Sequence, residues 1–142
     1  MAEIIYELKN MRPQEVMLDG VRWIDADEYD VFAEHLQICG QRTILKERWL
    51  QIHEEGTRYC LLFDDGIPVA RACVEKYSET FWEVADVRVA RAHRNQGFAQ
   101  RVCSFVLNYI LVCEKTPTIR TEEDNAAMQS VIAKLGFTAR KE

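Results

Sequence analysis

Apolar positions along the chain switch between a spacing of two and a spacing of three to four, and the switches divide it into strands and helices. Residues 4–8 alternate weakly and predict a short strand, which Pro13, within residues 11–14, breaks. Residues 21–24 predict a second strand. The acids of DADEYD, residues 25–30, then mark a helix start, because carboxylates favour the positive end of a helix dipole. Tyr29, Phe32 and Leu36 follow at helical spacing, and Gly40 ends that helix. Thr43 is expected to cap a second helix that carries Leu45, Trp49 and Ile52 on one face and stops at Gly56.

From residue 59 the period shortens. An apolar run at 59–63 meets Asp64-Asp65-Gly66, a hairpin turn signal, and two further strands are expected at 69–77 and 81–90 around the link Ser78-Glu79-Thr80. Three strands with such short links form an antiparallel meander. Phe98, Val102, Phe105, Val106, Tyr109, Ile110 and Cys113 then predict a strongly amphipathic helix. Residues 116–121 predict a strand with Pro117 near its start. Asp124 or Asn125 caps a last helix with Met128, Val131, Ile132 and Leu135 buried and Gly136 closing it. Residues 137–142 leave room for one short strand. The strand–helix–strand step over 81–121 is a right-handed crossover between parallel strands. The fold class is therefore α/β (α+β): a mixed, mostly antiparallel sheet flanked by helices, with a shortened C-terminal end.

Composition bounds the possibilities. The chain's 142 residues, 48% hydrophobic and 29% charged, suit one globular domain over residues 1–142, with 1–20 an N-terminal extension that carries the extra strand. No apolar run approaches the roughly 20 residues of a membrane span. MAEIIYELKN has neither a basic n-region nor a small-residue cleavage site, so no leader is expected. Cys39, Cys60, Cys73, Cys103 and Cys113 are odd in number and form no CxxC pair, which reads as reduced thiols in a cytoplasmic protein. His35, His53 and His93 show no ligand spacing with them, so no metal is expected.

A net charge of −5 argues against nucleic acid as a partner. Residues 87–113 nevertheless hold no acid, while Arg88, Arg91, His93, Arg94 and Arg101 fall among them. Such a zone suits an anion; a solvated helix start that merely lacks acids is the plainer reading. Within it, Arg94-Asn95-Gln96-Gly97-Phe98-Ala99 lies where a strand gives way to a helix. The first helical turn presents unpaired N–H groups, Gly97 admits a close approach, and Arg94 adds charge, so a diphosphate fits. A GxGxxG and a Gly-Lys-Ser/Thr are both absent, which argues against dinucleotide-binding and P-loop folds.

Arg94-x-x-Gly97-x-Ala99 resembles the pyrophosphate loop of the GNAT superfamily of N-acetyltransferases. "VADVRVARAHRNQGFA" has that family's strand-to-loop spacing, and "EEDNAAMQSVIAKLGF" resembles its Asn-to-Gly-Phe segment, here from Asn125 to Gly136-Phe137. The element order agrees over about residues 21–137. The resemblance implies acetyl-CoA as cosubstrate. Backbone groups of Val87 and Val89 would bind the thioester carbonyl and the pantetheine arm. The N–H groups of Asn95, Gln96, Gly97, Phe98 and Ala99 would hold the pyrophosphate, and Asn125 would lie near the pantetheine or adenosine.

The implied reaction is attack of an amine on the thioester. An alkyl amine with a pKa near ~10.4 arrives protonated, so a base must take its proton. Glu83, fourteen residues before Gly97, resembles the glutamate base of the family's histone-acetylating branch. A salt-bridged strand glutamate is the alternative. The Val87 N–H is the candidate oxyanion donor. Asp86 and Arg88 share the other strand face and are expected to pair with each other or with a neighbour. The sequence departs from the family at Ile132, seven residues after Asn125, where many members carry a tyrosine general acid. Water, Tyr109 or Ser130 would have to serve, the last two reading more plainly as core and surface.

The short C-terminus leaves the sheet edge beside residues 116–121 under-filled. The N-terminal strand would fill it from a partner in a homodimer, or extend the other edge instead. Asp25, Asp27, Glu28 and Asp30 suit either a rim for a cationic amine or simple helix-dipole compensation. Trp23, Trp49 and Trp82 suit a pocket or the core. The expected function is N-acetyl transfer to a primary amine of a small-molecule or protein acceptor. The alternatives are a catalytically weakened coenzyme A-binding sensor or assembly module, and a structural domain with no cofactor.

Overall fold

Both periods reappear in the fold as the two faces of one sheet. The computed structural model describes residues 2–8 and 20–140; the expected break at residues 11–14 lies outside them. In chain order the elements are β1 (Glu3–Glu7), β2 (Val21–Ile24), α1 (Tyr29–Ile38), α2 (Lys46–Glu54), β3 (Arg58–Asp64), β4 (Ile67–Glu75), β5 (Phe81–Val89), α3 (Phe98–Val112), β6 (Thr116–Glu122), α4 (Ala126–Lys134) and β7 (Thr138–Ala139). Short 3-10 turns at Ala26–Glu28 and Arg91–His93 lead into α1 and into the loop before α3.

The seven strands run in the order β2-β3-β4-β5-β6-β1-β7. Only β5 and β6 pair in parallel, across the α3 crossover; the other pairs are antiparallel. Alternation sends Cys60, Leu62, Ala72, Val74, Val84 and Ile119 to one face, where Val102, Val106 and Ile110 of α3 and Ile132 of α4 cover them. Tyr59, Leu61 and Cys73 point the other way, under Phe32 and Leu36 of α1 and Trp49 of α2. Burying one such large apolar side chain contributes about 1.5–3 kcal/mol, so the two clusters account for the three-layer build.

The edge of β6 corrects one expectation. It is not under-filled: β1 of the same chain pairs along it antiparallel, with Glu3 opposite Glu122 and Glu7 opposite Thr118. The two-residue β7 then pairs with the outer side of β1, with Tyr6 opposite Ala139. Arg140 Nε ties this edge to the Glu7 carboxylate at 3.2 Å. β1 therefore takes the place that a longer C-terminal hairpin would fill, and an open β6 edge gives no reason for a dimer.

Helix caps split between agreement and correction. The Asn125 Oδ1 accepts the Met128 N–H at 3.0 Å and caps α4. Thr43 caps nothing; α2 begins after Leu45, which has extended backbone and no side-chain cap. What fixes α2 is burial: Trp49 is fully enclosed, stacks on Phe32 with centroids 4.5 Å apart, and donates its indole N–H to the Ala26 carbonyl at 2.7 Å. All five cysteines are free thiols, with Cys60, Cys73 and Cys103 buried; burial pushes the Cys60 thiol up to about 12. No helix among the described residues is long and apolar enough to cross a membrane.

Candidate active site

The site grows out of an irregularity in β5. Against β4, Ala85 lies opposite Cys73 and Arg88 opposite Arg71, so Asp86 and Val87 together face the single residue Ala72. This is a β-bulge. Asp86 carries the extra bend with φ +49°, a left-handed conformation costing an L-residue roughly 1–2 kcal/mol, least for Asp and Asn. On its other side β5 pairs with β6 only as far as Val84 opposite Ile119, although β5 runs on to Val89 and β6 to Glu122. The two parallel strands thus part, and Asp86 and Val87 belong to neither ladder. Extended backbone with free hydrogen-bonding groups in such a gap can take up an extended ligand as an added strand.

Beyond Val89 the chain turns through residues 94–97. Asn95 has φ +64° and Gly97 φ +79°. Gly97 is the N-cap of α3, and the first intrahelical bond runs from the Arg101 N–H to the Gly97 carbonyl at 3.1 Å. The N–H groups of Phe98, Ala99 and Gln100 thus have no acceptor inside the helix. A Cβ placed on Gly97 would meet nothing within 4 Å, so the space above the helix start is open. The Phe98 ring is buried beside His93, 6.5 Å between centroids, and anchors the loop from below. Arg94, Asn95 and Gln96 are exposed, and Arg94 Nε donates to the Val89 carbonyl at 3.3 Å. The helix dipole and the unpaired N–H groups of the first turn favour an anion at the start of α3.

Glu83 sits where β5 and β6 begin to part. Its side chain is 7% exposed, and Oε1 accepts from Arg120 Nε at 2.8 Å and Thr118 Oγ1 at 3.4 Å. The salt-bridged arrangement anticipated as the alternative is therefore present. Glu75 lies directly opposite on β4, and burial followed by the Glu83 charge raises its carboxyl above the usual range. The Tyr77 and Thr118 hydroxyls meet at 2.8 Å on the same side. Glu83 thus stands among polar groups on the sheet face opposite α3.

Asp86 does not pair with Arg88. The bulge breaks the alternation, so the Asp86 carboxylate joins Ala85 on the α1 face instead of lying opposite Glu83. There it accepts from Arg71 Nη2 at 3.0 Å, Arg71 Nε at 3.2 Å and the Tyr59 hydroxyl at 2.6 Å. Arg71 Nη1 in turn donates to Gln41 Oε1 at 2.7 Å and lies 3.2 Å from His35 Nε2. The sequence reading missed this cluster. Its signal is a charged residue inside a buried strand, Arg71 in VARAC, which must find a partner.

His35 Nδ1 lies 2.9 Å from the Pro68 carbonyl, which only accepts, so Nδ1 carries the proton and Nε2 accepts from Arg71. Burial lowers the imidazole pKa to about 4, with Arg71 adding to the shift. The folded state thus holds His35 neutral where the unfolded chain protonates it. That stability is full above the unfolded pKa of 6.5 and is lost as pH falls towards 4. Stability is expected to drop by about 1–2 kcal/mol between pH 7 and 5. Denaturant midpoints measured across that range check this, and His35→Asn flattens the slope.

Ile132 is buried in the core under α4, and Ser130 is exposed. Tyr109 lies on the α3 side, between Trp23 at 5.0 Å and Trp82 at 6.0 Å, with Arg58 and Lys76 over the rings. It is thus across the sheet from Glu83. Trp49 is core. Asp25 and Glu28 form a capping box on the 3-10 turn that leads into α1, and Glu28 also pairs with Arg22 at 2.9 Å.

The model of the acetyltransferase (GNAT) family matches residues 18–137. The chain belongs to the GNAT acetyltransferase family. Solved structures share the fold. A GNAT-family protein from Novosphingobium aromaticivorans DSM 12444 superposes with a TM-score of 0.79 at 16% identity, over 98% of this chain and 60% of that one. A GNAT-family acetyltransferase from Colwellia psychrerythraea gives 0.76 at 19%, over 96% and 52%. The Salmonella typhimurium protein yncA, solved with its cofactor acetyl-CoA, gives 0.69 at 19%, over 85% and 80%. The chain thus spans 52–60% of the length of the first two. No curated protein matches it in sequence.

Proposed function

We propose that the chain, as a single domain, transfers an acetyl group from acetyl-CoA to a primary amine by direct attack in a ternary complex. The observation that carries this reading is the parting of β5 and β6 after Val84 and Ile119, beside an open helix start at Gly97. The gap takes the pantetheine arm along Val87 and Val89, and the turn takes the pyrophosphate on the N–H groups of residues 95–99. Asn125 spends its Oδ1 on capping α4, which leaves its amide N–H groups for the cofactor. Similarity in fold to yncA, solved with acetyl-CoA, supports the same cosubstrate.

In the reaction the amine nitrogen bonds to the acetyl carbon and the carbon–sulfur bond breaks. Glu83 receives the amine proton through water, the Val87 N–H steadies the oxyanion, and water protonates the departing thiolate. The acceptor is a small-molecule or protein amine. Five free thiols suit a reducing, cytoplasmic compartment. A coenzyme A-binding sensor or assembly module is the second reading; the buried Ile132 and the Glu83–Arg120 pair favour it.

Calorimetric titration with acetyl-CoA at low and moderate salt is the test. Saturable, salt-weakened binding in the micromolar range is the expected result, and absence of binding by folded protein overturns both readings. Thiol release with mixed amines then separates enzyme from sensor. Gly97→Val should weaken acetyl-CoA binding at least tenfold, because its branched side chain fills the open approach and resists the left-handed backbone.

A further inference from the structure

We propose that Arg71 and Asp86 are positioning residues, whose forked ion pair holds the β5 bulge in the shape that presents the Val87 N–H to the thioester carbonyl. The inference rests on the reading of Val87 given above. Asp86 and Val87 are the part of β5 that neither neighbouring ladder holds, since Ala72 is shared between them on β4 and pairing with β6 has ended. Their geometry must come from elsewhere. Asp86 is held at φ +49°, and the groups that fix it are on its side chain.

Those groups form a rigid fork. Arg71 Nη2 and Nε each donate to a different oxygen of the Asp86 carboxylate, at 3.0 and 3.2 Å, and the Tyr59 hydroxyl adds a third bond at 2.6 Å. The guanidinium is held at its far end as well, by Gln41 at 2.7 Å and by His35, which is anchored on Pro68. Arg71 is 4% exposed and packed below α1. A planar guanidinium with both ends bonded cannot rotate without breaking several bonds, so the carboxylate that it grips is fixed in position and angle.

Economy of stability does not explain the arrangement. Placing a charge in a buried strand carries a desolvation cost, and an apolar pair often stabilises as well. What a forked ion pair adds over an apolar pair is direction. Val87 follows Asp86 directly, so the dihedrals of Asp86 set where the next N–H points. The clamp also connects α1 and the Gln41 loop to the gap, so the α1 side of the sheet contributes to the placing of one backbone donor.

The test compares acetyl-CoA with coenzyme A, which lacks only the acetyl group that the Val87 N–H would contact. Dissociation constants for both are measured by calorimetry in the wild type, Arg71→Lys and Asp86→Asn. Lysine keeps the charge and loses the fork; asparagine keeps left-handed tolerance and loses the charge. The wild type should prefer acetyl-CoA, and both variants should lose that preference while binding coenzyme A within twofold of the wild type. With any amine the wild type acetylates, kcat should fall about 100-fold, and KM for acetyl-CoA should rise by no more than the lost preference. Trp49→Phe, which loosens the same face of the sheet but removes no bond of the fork, should keep the preference and so separates positioning from general loosening.

Preference retained in both variants overturns this proposal and leaves the cofactor reading standing. Equal wild-type affinities also overturn it, since the acetyl group would then make no contact with Val87. Absence of binding to either ligand in the wild type removes the cofactor reading itself, and the proposal with it.

Discussion

Trp49→Ala should lower stability by about 3–5 kcal/mol, the range for emptying an enclosed large aromatic site. The ring has no exposed surface, stacks on Phe32, meets the His53 ring edge-on at 4.3 Å and lies 5.9 Å from Tyr59. Three elements, α1, α2 and β3, thus close around one side chain. Truncation also frees the Ala26 carbonyl from its 2.7 Å hydrogen bond. Trp49→Phe keeps most of the packing and should cost about 1–2 kcal/mol, chiefly the lost hydrogen bond. Denaturant midpoints at constant slope check both values. Acetyl-CoA affinity of the folded alanine variant should stay near wild type, because the Trp49 indole bonds Ala26 and takes no part in the Arg71–Asp86 fork or in the start of α3.

The second large effect is on turnover. Glu83→Gln should reduce kcat by 10²–10⁴-fold, about what a positioned general base contributes, with acetyl-CoA affinity unchanged. Glutamine keeps an oxygen for Arg120 and Thr118, so the local geometry survives. The Arg120 side chain is 36% exposed, and losing its counter-charge should cost under about 1 kcal/mol. A collapse of turnover would therefore report chemistry and not unfolding. Turnover equal to wild type, in steady-state assays with the same amine, would remove Glu83 from the mechanism and leave its pair with Arg120 as a structural feature.

The fold was largely legible where a signal is local. Residues 21–24 alternate, Asp64-Asp65-Gly66 turns the β3–β4 hairpin, and the apolar stripe from Phe98 marks α3; each element appears at or near its expected place. The Asn125 cap is of the same kind, a side chain bonding backbone three residues on. What the sequence reading lost depends on distant partners. Thr43 resembles a cap, yet the burial of Trp49 decides where α2 starts. The bulge at Asp86 exists against the alternation of its own strand, held by Arg71 fifteen residues earlier. Glu83 finds Arg120 only because β6 lies beside β5. The turn at residues 94–97 was readable because it lies at a strand-to-helix junction, which glycine and spacing betray. The polar groups around Glu83 come from separate strands, and no linear pattern marks them.

The place of β1 has a consequence for the order of assembly. Its partner strand β6 is synthesised more than a hundred residues later, Glu3 lying opposite Glu122. At ~5–20 residues per second the ribosome needs roughly 6–24 s to supply that partner. Throughout that interval the apolar residues Ile4, Ile5 and Tyr6 lack their β6 partner. The β2–β5 meander, whose contacts are local, can form in the meantime. Closing the sheet is then a late, long-range step that docks β1 and admits β7 in turn. A nascent chain of this protein should pass through a nearly folded state with one adhesive strand still loose, the stage at which chaperones and neighbouring chains compete for it.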